Sequence, residues 1–247
     1  DSKTNKLVTQ QSFQIIPAKL QVHYNDKPLS APLKYQLTKD SLFIWSGANR
    51  KLNKNRVIGL KLGLYWSDNK LIELNTQASL NIEKWGFKAY IMDEKERLKE
   101  VKTIIFEKGE TNIYLIPTYK AWTETVSFVI PWLQPQSYQI EILPGEITKL
   151  KLNVEKKMAV VGEKINGQIS LSDAWWNAVT QPTDVLLTSS DNQKTVSNTL
   201  KVSNWKINIS HTFKGNETST LLQARVLWSK KNLQDQVRLS VQKKFLE

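Results

Sequence analysis

Two adjacent indoles, Trp175 and Trp176, followed by Asn177, are the residues best suited to recognition in this 247-residue sequence. Neighbouring aromatic rings in a loop cannot both face one core. At least one is therefore expected at the surface or against a neighbouring domain. There it would offer a flat apolar face with a polar N–H at its edge, a platform for a sugar ring or an anchor in a protein interface. The competing reading is a plug at a domain junction. A second candidate is the stretch Arg50-Lys51-Leu52-Asn53-Lys54-Asn55-Arg56, whose Arg50, Lys51, Lys54 and Arg56 would meet an anionic partner from an exposed loop.

Residue types suited to catalysis are scarce. His23 lies among Leu20, Val22 and Tyr24, and His211 continues the apolar face of Trp205, Ile207 and Ile209. Both read as core-edge histidines with a satisfied hydrogen bond rather than as bases. The sequence has no Gly-x-Ser-x-Gly, no Walker loop and no Gly-x-Gly-x-x-Gly. It has no cysteine, which removes disulfides, thiolate nucleophiles and cysteine-held zinc together. Asp93, Glu94 and Glu96 are interleaved with Lys95, Arg97 and Lys99, the pattern of a solvated charge run and not of a calcium loop or a glycosidase pair. Asp173 could ligate calcium, as in some sandwich modules, but is better read as a turn residue capping a strand end. The expectation is a protein with no enzymatic activity, no metal and no cofactor. The triplets Asn208-Ile-Ser210 and Asn216-Glu-Thr218 match a glycosylation sequon, a match that arises by chance in a chain rich in asparagine.

Charge narrows the partner class. The formal net charge is +12, but only five of the 35 basic residues are arginine, the residue that forks onto phosphates and guanine edges. The lysines are spread along the chain. Nucleic acid is thereby disfavoured, and a protein partner or an anionic glycan is preferred. No apolar run approaches the ~18 residues of a membrane helix.

The elements that must position these residues follow from period-2 alternation. Leu150, Leu152 and Val154 alternate with lysine and asparagine; so do Trp205, Ile207 and Ile209 with Lys206, Asn208 and Ser210. Helical spacing would drive those polar side chains into a core. Runs near 148–154, 164–171, 183–188, 195–202, 204–213, 220–228 and 236–243 predict seven strands of an immunoglobulin-type sandwich. Upstream, strands are expected at Lys19–Tyr24, Leu33–Leu37, Ser41–Trp45, Arg56–Trp66, Thr103–Phe106, Asn112–Pro117, Thr125–Ile130 and Ser137–Leu143. Gly59 and Gly63 leave bare backbone on one face of the fourth of these, where something large could lie. Met92–Glu100 reads equally as a short charged helix or a hairpin loop. Trp45, Trp66, Trp122, Trp132, Trp205 and Trp228 fall in strand-like runs and are expected in core or inter-domain packing. The fold class is all-β: two sandwich domains in tandem, at 17–145 and 146–247, hinged at Leu143-Pro144-Gly145, after a tail or edge strand at 1–16.

Val161-Gly-Glu-Lys-Ile-Asn-Gly-Gln-Ile-Ser-Leu-Ser-Asp173, then Val179 and Asp184-Val-Leu-Leu187, resembles the opening strands of bacterial immunoglobulin-like and macroglobulin-like repeats. Trp175-Trp176-Asn177 stands where those repeats carry a glycine before the asparagine. The resemblance implies a mature periplasmic or extracellular protein, its signal peptide removed, and implies no activity. The leading function is a non-enzymatic interaction module of the bacterial envelope or surface, binding a protein partner through sandwich edges and loops. A carbohydrate-binding protein using Trp175 and Trp176 is one alternative. A periplasmic pilus-assembly chaperone is another, with Ile113–Pro117 and Val126–Pro131 as faint echoes of its donor strand.

Overall fold

The computed structural model describes residues 18–38, 45–46, 51–52, 57–84, 86–93, 97–191, 194–214, 217–229 and 231–242. Among them there is no helix. The first half contains β1 (Ala18–Tyr24), β2 (Lys27–Pro28), β3 (Leu33–Gln36), β4 (Trp45–Ser46), β5 (Lys51–Leu52), β6 (Ile58–Trp66), β7 (Thr76–Ile82), β8 (Phe87–Met92), β9 (Leu98–Glu100), β10 (Thr103–Phe106), β11 (Glu110–Pro117), β12 (Thr123–Val129) and β13 (Gln136–Leu143). One sheet runs β2-β1-β6-β11-β8-β9 and a second β10-β7-β12-β13-β3, with β4 and β5 as a separate ribbon. The inward residues of both sheets form one core, including Ile58, Leu62, Leu64, Phe106, Ile113 and Phe128. Each large side chain buried there contributes about 1.5–3 kcal/mol relative to exposure.

The second half contains β14 (Lys149–Val154), β15 (Met158–Ala159), β16 (Lys164–Ser172), β17 (Thr183–Ser190), β18 (Thr195–Val202), β19 (Lys206–Thr212), β20 (Ser219–Val226) and β21 (Gln234–Val241). A three-stranded sheet β14-β16-β19 lies against a five-stranded sheet β15-β21-β20-β17-β18. Ile165, Ile169, Leu171, Val185, Phe213 and Leu239 fill a core separate from the first. Each of the seven expected runs is a strand here. The two-residue β15 is an addition, paired in parallel with β21. The protein is thus all-β, two sandwiches in tandem, the second immunoglobulin-like.

Several local expectations are refined. Met92–Glu100 is not helical at either described end: β8 pairs with β9 as a hairpin, Met92 opposite Leu98. The Asp93 carboxylate joins the two ends, accepting from the Arg97 backbone N–H and Nε at 2.8 Å each. Its interleaved charges supply no apolar stripe that a helix could bury. Strands β7 and β8 were not expected; β7 buries only Ala78 fully, so its apolar alternation is faint. The bare backbone of β6 is covered from within. A Cβ on Gly63 would lie 2.6 Å from the Tyr65 ring, and one on Gly59 would lie 3.7 Å from the Tyr114 ring. Trp66, Trp122 and Trp132, expected in packing, are 38%, 36% and 44% exposed, because they stand at strand ends and in turns rather than mid-sheet. The expected tail at 1–16, the strand segment 41–44, Trp85 and Asn216 lie outside the described residues.

Candidate functional site at the joint of the two sandwiches

Strand β16 ends at Ser172, and the next residue organises the joint. Asp173 is fully buried. Its Oδ1 accepts from the backbone N–H groups of Trp175 and Asn177, both at 2.9 Å. Its Oδ2 accepts from the Gly145 N–H and from Asn177 Nδ2, again at 2.9 Å. A short carboxylate that bonds backbone two and four residues on is what makes aspartate a turn former. Here it also grips the linker. The calcium-ligand reading loses its donors, since both carboxylate oxygens are occupied by N–H groups. Among the described residues no group of three or more His, Cys, Asp or Glu could hold a metal ion.

Asn177 carries the grip across to the first sandwich. Its Nδ2 donates to the Tyr119 carbonyl at 2.7 Å, and its Oδ1 accepts from the Ala121 N–H at 3.0 Å. Trp175 packs half-buried against the first core and lies over Tyr119, ring centroids 6.0 Å apart. Gly145 permits this closeness: a Cβ there would meet the Leu37 carbonyl oxygen at 2.9 Å. The three candidates Trp175, Trp176 and Asn177 thus part company. Asn177 is inside the joint with its amide fully used, Trp175 plugs it, and only Trp176 faces out.

Trp176 is 69% exposed and sits at φ +67°, a left-handed conformation that is an outlier for a bulky side chain. Lys149 Nζ stands 3.5 Å above its ring and donates to the Ala174 carbonyl at 3.0 Å. A cation over an indole face is worth about 0.5–2 kcal/mol and holds the ring in one orientation.

Two further tryptophans share the backbone anomaly. Trp205 has φ +60° beside Asn204 at φ +57°, two left-handed residues in the turn that carries the chain from β18 of one sheet to β19 of the other. Trp228 has φ +60° and is 94% exposed, where packing was expected. The inward alternation of β20 through Leu222, Ala224 and Val226 would have carried Trp228 into the core. The strand stops at Val226, and only the following Ser229-Lys230-Lys231-Asn232 hints at a turn. Strand register puts all three loops at the linker end of the second sandwich: Lys149 pairs with Ser172, Ser170 with Lys206, Thr183 with Val202, and Val185 with Val226. A cleft of about 530 Å³ opens at this end, lined by Gln36, Glu146, Val179, Pro182, Trp228 and Lys231 among others.

The basic stretch does not join this site in what is described. Arg50, Lys54 and Arg56 lie outside the described residues, and Lys51 is placed only by its backbone, in β5 opposite Ser46. The chaperone echoes fall on β11, paired with β6 and β8, and on β12, paired with β7 and β13. Both are flanked on each side, so neither offers a free edge to donate.

No family model and no curated protein matches the chain. Among solved structures it is similar to FdeC, an Escherichia coli adhesin, at 14% identity over 92% of this chain and 64% of that one, TM-score 0.44. It is similar to Yersinia pseudotuberculosis InvD at 10% identity over 75% and 53%, TM-score 0.48. It is also similar to a glycosyl hydrolase family 2 member from Bacteroides cellulosilyticus at 12% identity over 81% and 24%, TM-score 0.35. The chain spans less than two thirds of each of these three.

Proposed function

We propose that this chain is a non-enzymatic interaction module of the bacterial envelope or cell surface that engages a protein partner through the loops at its joint. The observation that carries this is the pair Trp176 and Trp228. Both indoles are held out in solvent, at 69% and 94% exposure, on left-handed backbone that costs about 1–3 kcal/mol per residue. Large exposed aromatics on a rigid frame are the residues that anchor protein interfaces. The Trp176 loop is anchored, because Asp173 and Asn177 tie it to both the linker and the first sandwich. The envelope location rests on the resemblance of residues 161–187 to modules found there.

The test is photo-crosslinking from single positions in cells of the source bacterium. A crosslinker at 176 or 228 is expected to trap one common protein. The same crosslinker at Trp132, in the turn at the far end of the first sandwich, is expected to trap none. No adduct at either loop position, or hydrolytic turnover by the purified chain, would overturn the reading.

A further inference from the structure

The outward face of the β1-β6-β11-β8 sheet is built differently from the rest of the surface. His23 of β1, Lys61 of β6 and Asn112 of β11 are direct cross-strand neighbours and form one polar row. Beside that row Tyr114 lies over the bare backbone of Gly59. Two hollows of about 550 and 580 Å³ meet here and share Lys61, Asn112 and Tyr114 as their common wall. Each falls within the ~300–1,000 Å³ of small-ligand sites, and together they make a groove across the strands.

The groove has the chemistry of one ligand class. Tyr114, lying against a strand that has no side chain beneath it, gives an aromatic surface with a hydroxyl at its edge, suited to a ring that is apolar on its faces and polar round its rim. Asn112 and Lys61 are exposed beside it, an amide and an ammonium able to donate to hydroxyl oxygens, with the Asn112 carbonyl able to accept. The charge argues for neutrality in the ligand. Lys61 is already paired with Glu110 at 2.8 Å, and that pairing raises its pKa further. Asp26 and Glu107 add carboxylates at the two ends. Among the described residues that line the groove, Asp26, Glu107 and Glu110 stand against the single lysine Lys61, a balance that disfavours an anion.

We propose that this sheet face binds a neutral oligosaccharide, with Tyr114 as the stacking surface and Asn112 and Lys61 as the hydroxyl-reading groups. The site is separate from the loop tryptophans and does not depend on the reading given to them. It also moves sugar recognition away from Trp175 and Trp176, which do not form a shared platform.

The test uses the isotope-labelled chain with cellotetraose, chitotetraose, maltotetraose and mannotetraose, followed by amide shifts. At least one is expected to move the amides of Lys61, Asn112 and Tyr114 saturably, with Kd on the order of 0.1–5 mM. Asn112→Ala is expected to weaken that binding about tenfold, and Tyr114→Ala at least as much. Because Tyr114→Ala also uncovers Gly59 and can disturb the sheet, the exposed Asn112 keeps the test independent of folding. Trp228→Ser is expected to leave sugar affinity unchanged. Four results overturn the proposal: no saturable shift up to about 10 mM of any of the four, shifts confined to the Trp176 and Trp228 loops, unaltered affinity in Asn112→Ala, or saturation of the same amides by a lysine-rich peptide and not by sugars.

Discussion

At the scale of single residues, Asp173 and Asn177 show how two short polar side chains decide a joint. Asp173 satisfies three backbone N–H groups and one side-chain amide in a site with no water access of its own. Removing it leaves those donors buried without an acceptor, at about 1–3 kcal/mol for each that finds no new partner. Asp173→Ala is therefore expected to lower the stability of the second sandwich by about 2–4 kcal/mol in urea unfolding. Asp173→Asn is expected to cost less, because its amide oxygen still accepts while its NH₂ must face another donor. Equal stability of the alanine variant and the parent would show that the carboxylate does not organise the turn.

At the scale of elements, the sheets depend on pairs that the alternation alone does not reveal. Tyr138 of β13 packs edge-on against Phe128 of β12, ring centroids 6.1 Å apart, over the first core. Burial lifts its phenol above the usual value of 10.0, because the folded state resists phenolate formation. The sign follows from linkage. A group whose folded pKa is raised contributes stability that is complete below the unfolded pKa and is lost as pH climbs from there through the folded pKa. Tm is therefore expected to hold flat up to about pH 10 and to fall above it. Tyr138→Phe keeps the ring and removes the ionisation, so it is expected to match the parent at pH 7 and to fall less steeply above pH 10. Parallel alkaline limbs in the two proteins would remove Tyr138 as a cause. The hairpin at Met92–Leu98 makes a related point: the two described ends of a segment that reads as helix or loop are drawn into strands, because β8 pairs with β11 and β9 with β8.

At the scale of the whole molecule, the two cores are separate, and the polar link between the sandwiches runs through Asn177, Gly145 and the Trp175–Tyr119 contact. Asn177→Ala cuts both bonds to the 119–121 segment and one to Asp173, while leaving each core intact. The halves are expected to gain relative motion, seen as divergent tumbling times in nitrogen relaxation. The unfolding midpoint of the first sandwich is expected to shift little. Identical tumbling of the two halves in the variant would show that Trp175 alone suffices to fix them.

The sequence by itself determined what depends on neighbours along the chain. Side chains that switch faces at every step fixed the β class and the seven strands of the second sandwich, since these need only the pleat and turn chemistry. It also marked Trp175-Trp176-Asn177 as unusual, and it left open which residue would be plug and which would be display. That division was made by tertiary structure, because it depends on where Tyr119, Ala121 and Gly145 lie, residues 28 to 58 positions away in the chain. The exposure of Trp228 and the covering of Gly63 by Tyr65 belong to the same class: a strand's last residue and a ring's resting place are set by what packs beside them, which alternation cannot encode.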